Sequence, residues 1–137
     1  MSRLHVAVVA LFASLALFVT GCNQNNGPPR YKLSGEVTFA GQPIPNGQII
    51  FTPDSSKGNS GPQGIATIKD GRYDTSAPEG RGVGGGATII RVTGQGPDGH
   101  QLLCEFEEKV DLPKQDSERK IEVPATATNR KPASPEV

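Results

Sequence analysis

The sequence predicts an all-β domain over residues 31–123, arranged as a seven-stranded antiparallel β-sandwich. Three observations carry that prediction. Beyond residue 30 no segment shows a helical pattern of even two turns, while several alternate apolar and polar residues with a period of two. The 137 residues include 17 Gly and 12 Pro, both above average use, which favours turns over long helices. These turn residues separate short strand-like segments at close spacing, the pattern expected of a sandwich.

The first strand is expected over Tyr31–Phe39. Tyr31, Leu33, Val37 and Phe39 share one face with Gly35, and Lys32, Ser34, Glu36 and Thr38 share the other. Ala40–Gly47, with two prolines and an Asn-Gly pair, reads as a turn segment. Gln48–Thr52 is a second strand, and Asp54–Gln63 a loop. Gly64–Lys69 and Arg72–Thr75 flank Asp70-Gly71 and read as a hairpin. After the glycine-rich stretch Pro78–Gly86, Ala87–Thr93 sets Thr88, Ile90 and Val92 against Ile89, Arg91 and Thr93. Past the turn at 94–99, Leu102, Cys104, Phe106 and Val110 face inward, and Glu108 interrupts them, which predicts a bulge or fraying there. Ile121 and Val123 face inward on a last strand, Lys120–Val123. Ile49, Phe51, Ile68 and Tyr73 complete the expected core.

The two ends of the chain differ from this domain. Arg3 precedes an apolar run, Val6–Val19, broken only by Ser14. The run is several residues short of the roughly 20 needed to span a membrane, and matches the apolar region of a signal peptide rather than a buried helix. It ends Val19-Thr20-Gly21-Cys22, which resembles the lipobox of bacterial lipoproteins, although Val19 is less usual than Leu at its position. An ordinary secretory signal with an incidental cysteine is the alternative. The resemblance implies that residues 1–21 are removed and that Cys22 carries a diacylglyceryl group. Two acyl chains suffice for stable anchoring, at about 0.8 kcal/mol per buried methylene. Residues 22–30 read as the lipidated cysteine and a flexible polar tether with a Pro-Pro stiffener. Residues 124–137, rich in Pro, Ala, Thr and Ser without periodicity, read as a disordered tail. The resemblance implies an exported protein of the cell envelope. Asn23 stands where an inner-membrane-retaining Asp would follow the cysteine, which favours the outer membrane.

Gly35-Glu36-Val37-Thr38-Phe39-Ala40-Gly41-Gln42-Pro43-Ile44-Pro45-Asn46-Gly47-Gln48-Ile49-Ile50-Phe51-Thr52-Pro53 resembles the opening of carboxypeptidase regulatory-like domains. These are transthyretin-like (prealbumin-like) sandwiches of immunoglobulin-like architecture. Their strand, Gly-x-Pro-x-x-x-Gly turn and strand ending Phe-x-Pro follow in that order. Asp70-Gly71-Arg72-Tyr73 resembles their later turn. Small lipoproteins of this type are typical of planctomycete-like bacteria. Gly84-Gly85-Gly86-Ala87 departs from the family's Pro-Gly-x-Tyr lead, which leaves the register of the following strand open. The resemblance implies a non-catalytic accessory or structural module and supplies no ligand.

Composition and site chemistry narrow the function. Lys plus Arg equals Asp plus Glu at 14 each, so no net field gathers nucleic acid. With Cys22 lipidated, Cys104 has no partner, and its alternating strand places it as a buried small hydrophobe rather than a reactive thiol. His100 is the one histidine of the mature chain, four residues from Cys104. An exposed loop histidine is the reading over a Cys-His catalytic pair. The transthyretin-like hydrolase of a purine breakdown product uses several histidines, and zinc needs three or four His or Cys ligands. Neither set is present. Asp54, Ser55, Asn59 and Ser60 in one loop, with Asp70 and Asp74 about a turn, are the candidate oxygen ligands for calcium, although Asp and Asn in loops normally form turns. Gly80–Gly86 lacks the Lys-Ser/Thr and helix of a phosphate loop, so it reads as a flexible loop or strand entry. Tyr31 and Tyr73 face inward, which disfavours sugar stacking.

The expected function is therefore a membrane-anchored envelope lipoprotein with a non-catalytic binding or structural module and no cofactor. Its partner would be an envelope protein or glycan, met through the 54–63, 78–86 and 94–101 loops. A calcium- or glycan-binding module on the same fold is the alternative, and a hydrolase the third reading.

Overall fold

The computed structural model describes residues 27–127. The expected leader, Cys22, the tether as far as Asn26 and the tail beyond Ala127 lie outside the described residues. All seven expected strands form. They are β1 (Leu33–Phe39), β3 (Asn46–Pro53), β4 (Gly64–Lys69), β5 (Arg72–Asp74), β6 (Gly86–Gln95), β7 (Leu102–Leu112) and β9 (Ile121–Val123). Two short strands were not expected, β2 (Gln42–Pro43) and β8 (Ser117–Glu118).

The strands form one curled, mostly antiparallel sheet in the order β1-β5-β4-β3-β6-β7, with β2 against the end of β1. The predicted hairpin is present, with Ile68 opposite Tyr73 and Lys69 opposite Arg72. The last strands do something the sequence did not suggest. β8 and β9 run parallel to β1, pairing Ser34 with Glu118 and Val37 with Ile121. Ser34 also pairs with Asp74 of β5, so β1 is bonded on both sides.

Curling closes the apolar face on itself. Leu33, Val37, Ile49, Phe51, Ile68, Tyr73, Ile90, Val92, Cys104, Ile121 and Val123 pack there as one buried cluster, as their alternation predicts. Ile44, Ala66, Val83 and Leu112 join it unforeseen. Tyr31, Phe39, Phe106 and Val110 sit at its rim, half-buried rather than inside. The curl also brings the two terminal strands of the sheet towards each other. The guanidinium of Arg119, between β8 and β9, lies 3.3 Å from Glu108 on β7. The Tyr73 hydroxyl donates to the Arg119 carbonyl at 2.8 Å.

The expected irregularity at Glu108 is corrected. Glu108 stays in the ladder opposite Ile90, where Arg119 meets its carboxylate. The register shift falls instead between Gly94 and Gln95, which pair with Cys104 and Leu102 and leave Leu103 as the extra residue. Gly94 explains the place. A Cβ there would lie 2.7 Å from the Cys104 sulfur and 3.2 Å from Ile44, so only glycine lets those side chains close over it. The shift also turns Leu102 out of the core, and it is 42% exposed.

The register of β6, left open by the glycine run, is set on both edges. Thr88 pairs with Pro53 and Val110, and Val92 with Ile49 and Phe106. Gly85 and Gly86 adopt φ of 74° and 77°, which a side chain would disfavour. On the outer face Lys32–Asp74, Glu36–Arg72 and Arg91–Glu107 pair across strands. Such exposed pairs add little stability, but they neutralise the face locally.

Candidate functional site

The strand directions sort the connections into two ends. One end gathers the chain entry at 27–32, the 54–63 loop, the 75–85 segment and the 113–116 link. The other gathers Ala40–Pro45, Asp70-Gly71, the 96–101 turn and Pro124–Ala127. The three loops expected to make contacts are therefore split. Loops 54–63 and 78–86 lie beside the chain entry, and 94–101 lies opposite.

The entry end is laced together. Asn59 Nδ2 donates to the Gly85 and Ala87 carbonyls at 3.0 and 2.6 Å. The Asp54 N–H donates to the Ala87 carbonyl at 2.9 Å. Tyr31 and Val83 exchange backbone bonds, as do Ile65 and Arg81. The glycine-rich stretch thus serves as the strand entry the sequence suggested, bridged on both sides before β6 begins. Arg30 Nη1 donates to the Gln63 and Gly82 carbonyls at 3.2 and 2.9 Å, so the tether expected to run through Arg30 is already docked at that residue. Nothing in the sequence marked Asn59 or Arg30 for these roles, because each reaches carbonyls far along the chain.

The candidate oxygen ligands for calcium do not form one set, since Asp70 lies at the opposite end of the sheet from Asp54, Ser55, Asn59, Ser60 and Asp74. Asp54 caps a short 3-10 turn, Ser55–Lys57, accepting from the Ser56 N–H at 3.0 Å and its hydroxyl at 2.5 Å. Asp74 accepts from the Ser76 N–H and hydroxyl at 2.8 and 2.6 Å. Asp98 accepts from the His100 and Gln101 N–H groups at 3.0 and 3.3 Å. The serine hydroxyl holds the carboxyls of Asp54 and Asp74 below the ordinary range, and the His100 N–H does the same for Asp98. Asp70 takes a left-handed turn conformation, φ 50°. Each acid shapes its own turn. Among the described residues no three His, Cys, Asp or Glu side chains group as metal ligands.

His100 and Cys104 are likewise separate. His100 is exposed on its turn, while Cys104 is fully buried against Gly94. Burial pushes the Cys104 thiol above its ordinary pKa. The thiol is thus expected to ignore a thiol-disulfide reagent at pH 8 in the folded protein and to react fully in denaturant. A native-state thiol titration of the Cys22→Ala protein checks this, and rapid labelling without denaturant would contradict the packing under Gly94.

Two open surface grooves stand out among the described residues. One of about 410 Å³ is lined by Thr38, Ala40, Gly41, Lys120, Glu122 and Val123. The other, about 390 Å³, crosses the outer face between Lys32, Lys69, Arg72 and Glu118. Both are open to solvent and lined by charged as well as apolar residues. Tyr73 is buried at 3% exposure, and its hydroxyl, bonded inside, is pushed to a higher pKa by burial. It offers no ring for stacking. Leu102 is the one exposed large hydrophobic side chain among the described residues.

Compared with protein-family models, curated proteins and solved structures, the chain matches none of them.

Proposed function

We propose that this protein is an exported envelope lipoprotein, held to a membrane by lipid on Cys22, whose domain is a non-catalytic binding or structural module. The observation that carries the reading is the order Arg3, Val6–Val19, Thr20-Gly21-Cys22, followed at once by a polar segment and then the folded domain. That order supplies a charged start, an apolar region of signal-peptide length, small residues for the peptidase and a cysteine at the cleavage point. We read the domain as of the carboxypeptidase regulatory-like, transthyretin-like type, a reading supported by the resemblance of Gly35–Pro53 and Asp70–Tyr73 and by the curled, mostly antiparallel sheet. The burial of Cys104 supports the reading, because it leaves Cys22 as the cysteine for acylation. No helix among the described residues is long and apolar enough to cross a membrane. The domain engages an envelope protein or glycan rather than turning over a substrate.

The test is membrane fractionation of cells making the native chain or Cys22→Ala, with mass spectrometry of the mature N-terminus. The native protein should pellet with membranes and show a diacylglyceryl mass increment on Cys22. Cys22→Ala should move wholly to the soluble fraction or remain an uncleaved precursor. A native protein with a free Cys22 would refute the anchor. In-cell crosslinking of the anchored form then asks whether a discrete partner is held.

A further inference from the structure

We infer that the outer edge of β7 takes up an extended segment of a partner protein as an added strand, and that this segment alternates basic with apolar residues. The inference rests on the reading of the domain as a binding module and does not need the lipid on Cys22. Its ground is the direction of the backbone groups along β7 and the side chains that flank them.

The parity of the sheet decides which backbone groups are free. The Ala87 carbonyl accepts from the Asp54 N–H, so Ala87 turns its backbone towards β3. Successive residues of a strand turn theirs to opposite sides. Thr88, Ile90, Val92 and Gly94 therefore turn towards β7, where they stand opposite Val110, Glu108, Phe106 and Cys104. The residues between those partners, Glu105, Glu107, Lys109 and Asp111, turn their N–H and C=O groups the other way. None of these groups has a backbone partner among the described residues. Arg119 reaches β7 through the Glu108 carboxylate, a side chain of the inner face, and not through this row. A row of unpaired backbone groups is a template for another strand, and such pairing supplies affinity through the main chain and specificity through alternate side chains.

The flanking side chains say which strand fits. The outer face of the edge carries Glu105, Glu107, Lys109 and Asp111, three acids to one base. Arg91 pairs with Glu107, whereas Glu105 and Asp111 have no ion-pair partner among the described residues. On the inner face Phe106 and Val110 are only half-buried against the core. A strand laid antiparallel beside β7 sets its alternate residues against these two rows. Basic residues opposite Asp111, Glu107 and Glu105, with an acid opposite Lys109, complement the outer row. Apolar residues opposite Val110 and Phe106 cover the inner one. Glu108 already has Arg119, so the position opposite it takes a small polar residue. Read in its own direction, a segment of this pattern is Lys-Val-Glu-Thr-Lys-Val-Lys.

The probe is that synthetic peptide, blocked at both ends and fluorescently labelled, titrated with the full-length protein purified from cells in a neutral detergent. Anisotropy should rise to saturation. The peptide with its charges inverted, Glu-Val-Lys-Thr-Glu-Val-Glu, should bind at least about tenfold more weakly. Amide exchange followed by nuclear magnetic resonance gives the register. The Glu105, Glu107, Lys109 and Asp111 amides should exchange quickly in the free protein and several-fold more slowly with the peptide, while those of Cys104, Phe106, Glu108 and Val110 stay slow throughout. Lys109→Pro removes one edge N–H without breaking a bond to β6, and should weaken binding about tenfold. Glu105→Lys should weaken it through charge, and keeps the comparison should the proline variant fail to fold. Absence of saturable binding, equal affinity for the two peptides, undiminished binding by Glu105→Lys, or protection that appears away from β7 would each overturn the proposal. So would edge amides that are slow in the free protein and become fast when residues 128–137 are removed, since the chain's own end would then hold the edge. None of these outcomes bears on the membrane fractionation of Cys22→Ala, so the edge can fail while the anchor stands.

Discussion

Gly35→Ala is expected to destabilise the domain by more than about 4 kcal/mol, enough to unfold a fold of ordinary stability. Gly35 sits in the middle of β1 at φ +156°, opposite Tyr73 on one side. On the other side the backbone of Arg119 passes so close that a Cβ would lie 2.2 Å from its carbonyl oxygen and 2.8 Å from its carbonyl carbon. Those are backbone atoms and cannot rotate away. Moving them would strain the Tyr73 hydroxyl bond to that carbonyl, the 2.9 Å bond from the Arg119 N–H to Ser34, and the Arg119–Glu108 pair on β7. One methyl group therefore opposes the contacts that hold β8–β9 to β1. Gly41→Ala is the control. Gly41 has φ +81° but open space where a Cβ would go, so its cost is backbone strain alone, about 1 kcal/mol. Urea unfolding of both variants, followed by circular dichroism in the unlipidated Cys22→Ala background, checks the contrast. Equal midpoints for the two glycine variants would mean that the approach of Arg119 to β1 is not tight.

Phe51→Ala has the next largest expected effect, about 3–5 kcal/mol. Phe51 is 1% exposed and the largest of the fully buried side chains. It stands on β3 between Gly64 of β4 and Ile90 of β6, and its ring centroid lies 6.0 Å from that of Tyr73 in a tilted pair. Truncation removes that ring contact and leaves a cavity on the inner face of the curl, where strands on both sides are already bonded and cannot collapse inward. Phe51→Leu keeps most of the volume and should lose less. Thermal melts of the pair check the order. A loss below about 1 kcal/mol for the alanine variant would show that the inner face repacks freely.

Much of this core could be read from the chain because period-two alternation is local. Leu33, Val37, Ile49, Ile68, Ile90 and Ile121 fall on the inward face by that alternation and are buried. Ile44 could not be found this way. It lies in a Pro-flanked turn, and only the return of the sheet over Gly94 buries it. Val83 is hidden for a similar reason, since its burial depends on a bridge to Tyr31 across 52 residues. The parallel course of β8 and β9 beside β1 is likewise non-local. A glutamate in an inward row looks like a fault until its partner, Arg119, is known, so alternation alone points to Glu108 and not to Gly94 for the bulge. As for the candidate site, the proposed lipobox at Val19–Cys22 is contiguous and can be read from the chain alone, but the sorting of the loops between two ends requires the direction of every strand. Loops that look equivalent in sequence then turn out to be at opposite ends of the molecule.

β7 is paired with β6 alone among the described strands, and it is the longest in the sheet at 11 residues. An edge of that length would ordinarily invite a second chain to add itself. Confinement to a membrane plane would make such encounters frequent. The composition of β7 answers this hazard. Glu105, Glu107, Glu108, Lys109 and Asp111 place charges along most of the strand, four of them negative. Two copies meeting edge to edge would bring Glu105 and Asp111 together and strip water from the ion-paired Glu107 and Glu108. On the anchoring proposed at Cys22, the strand would thus work against self-assembly in a crowded layer and keep neighbouring domains separate.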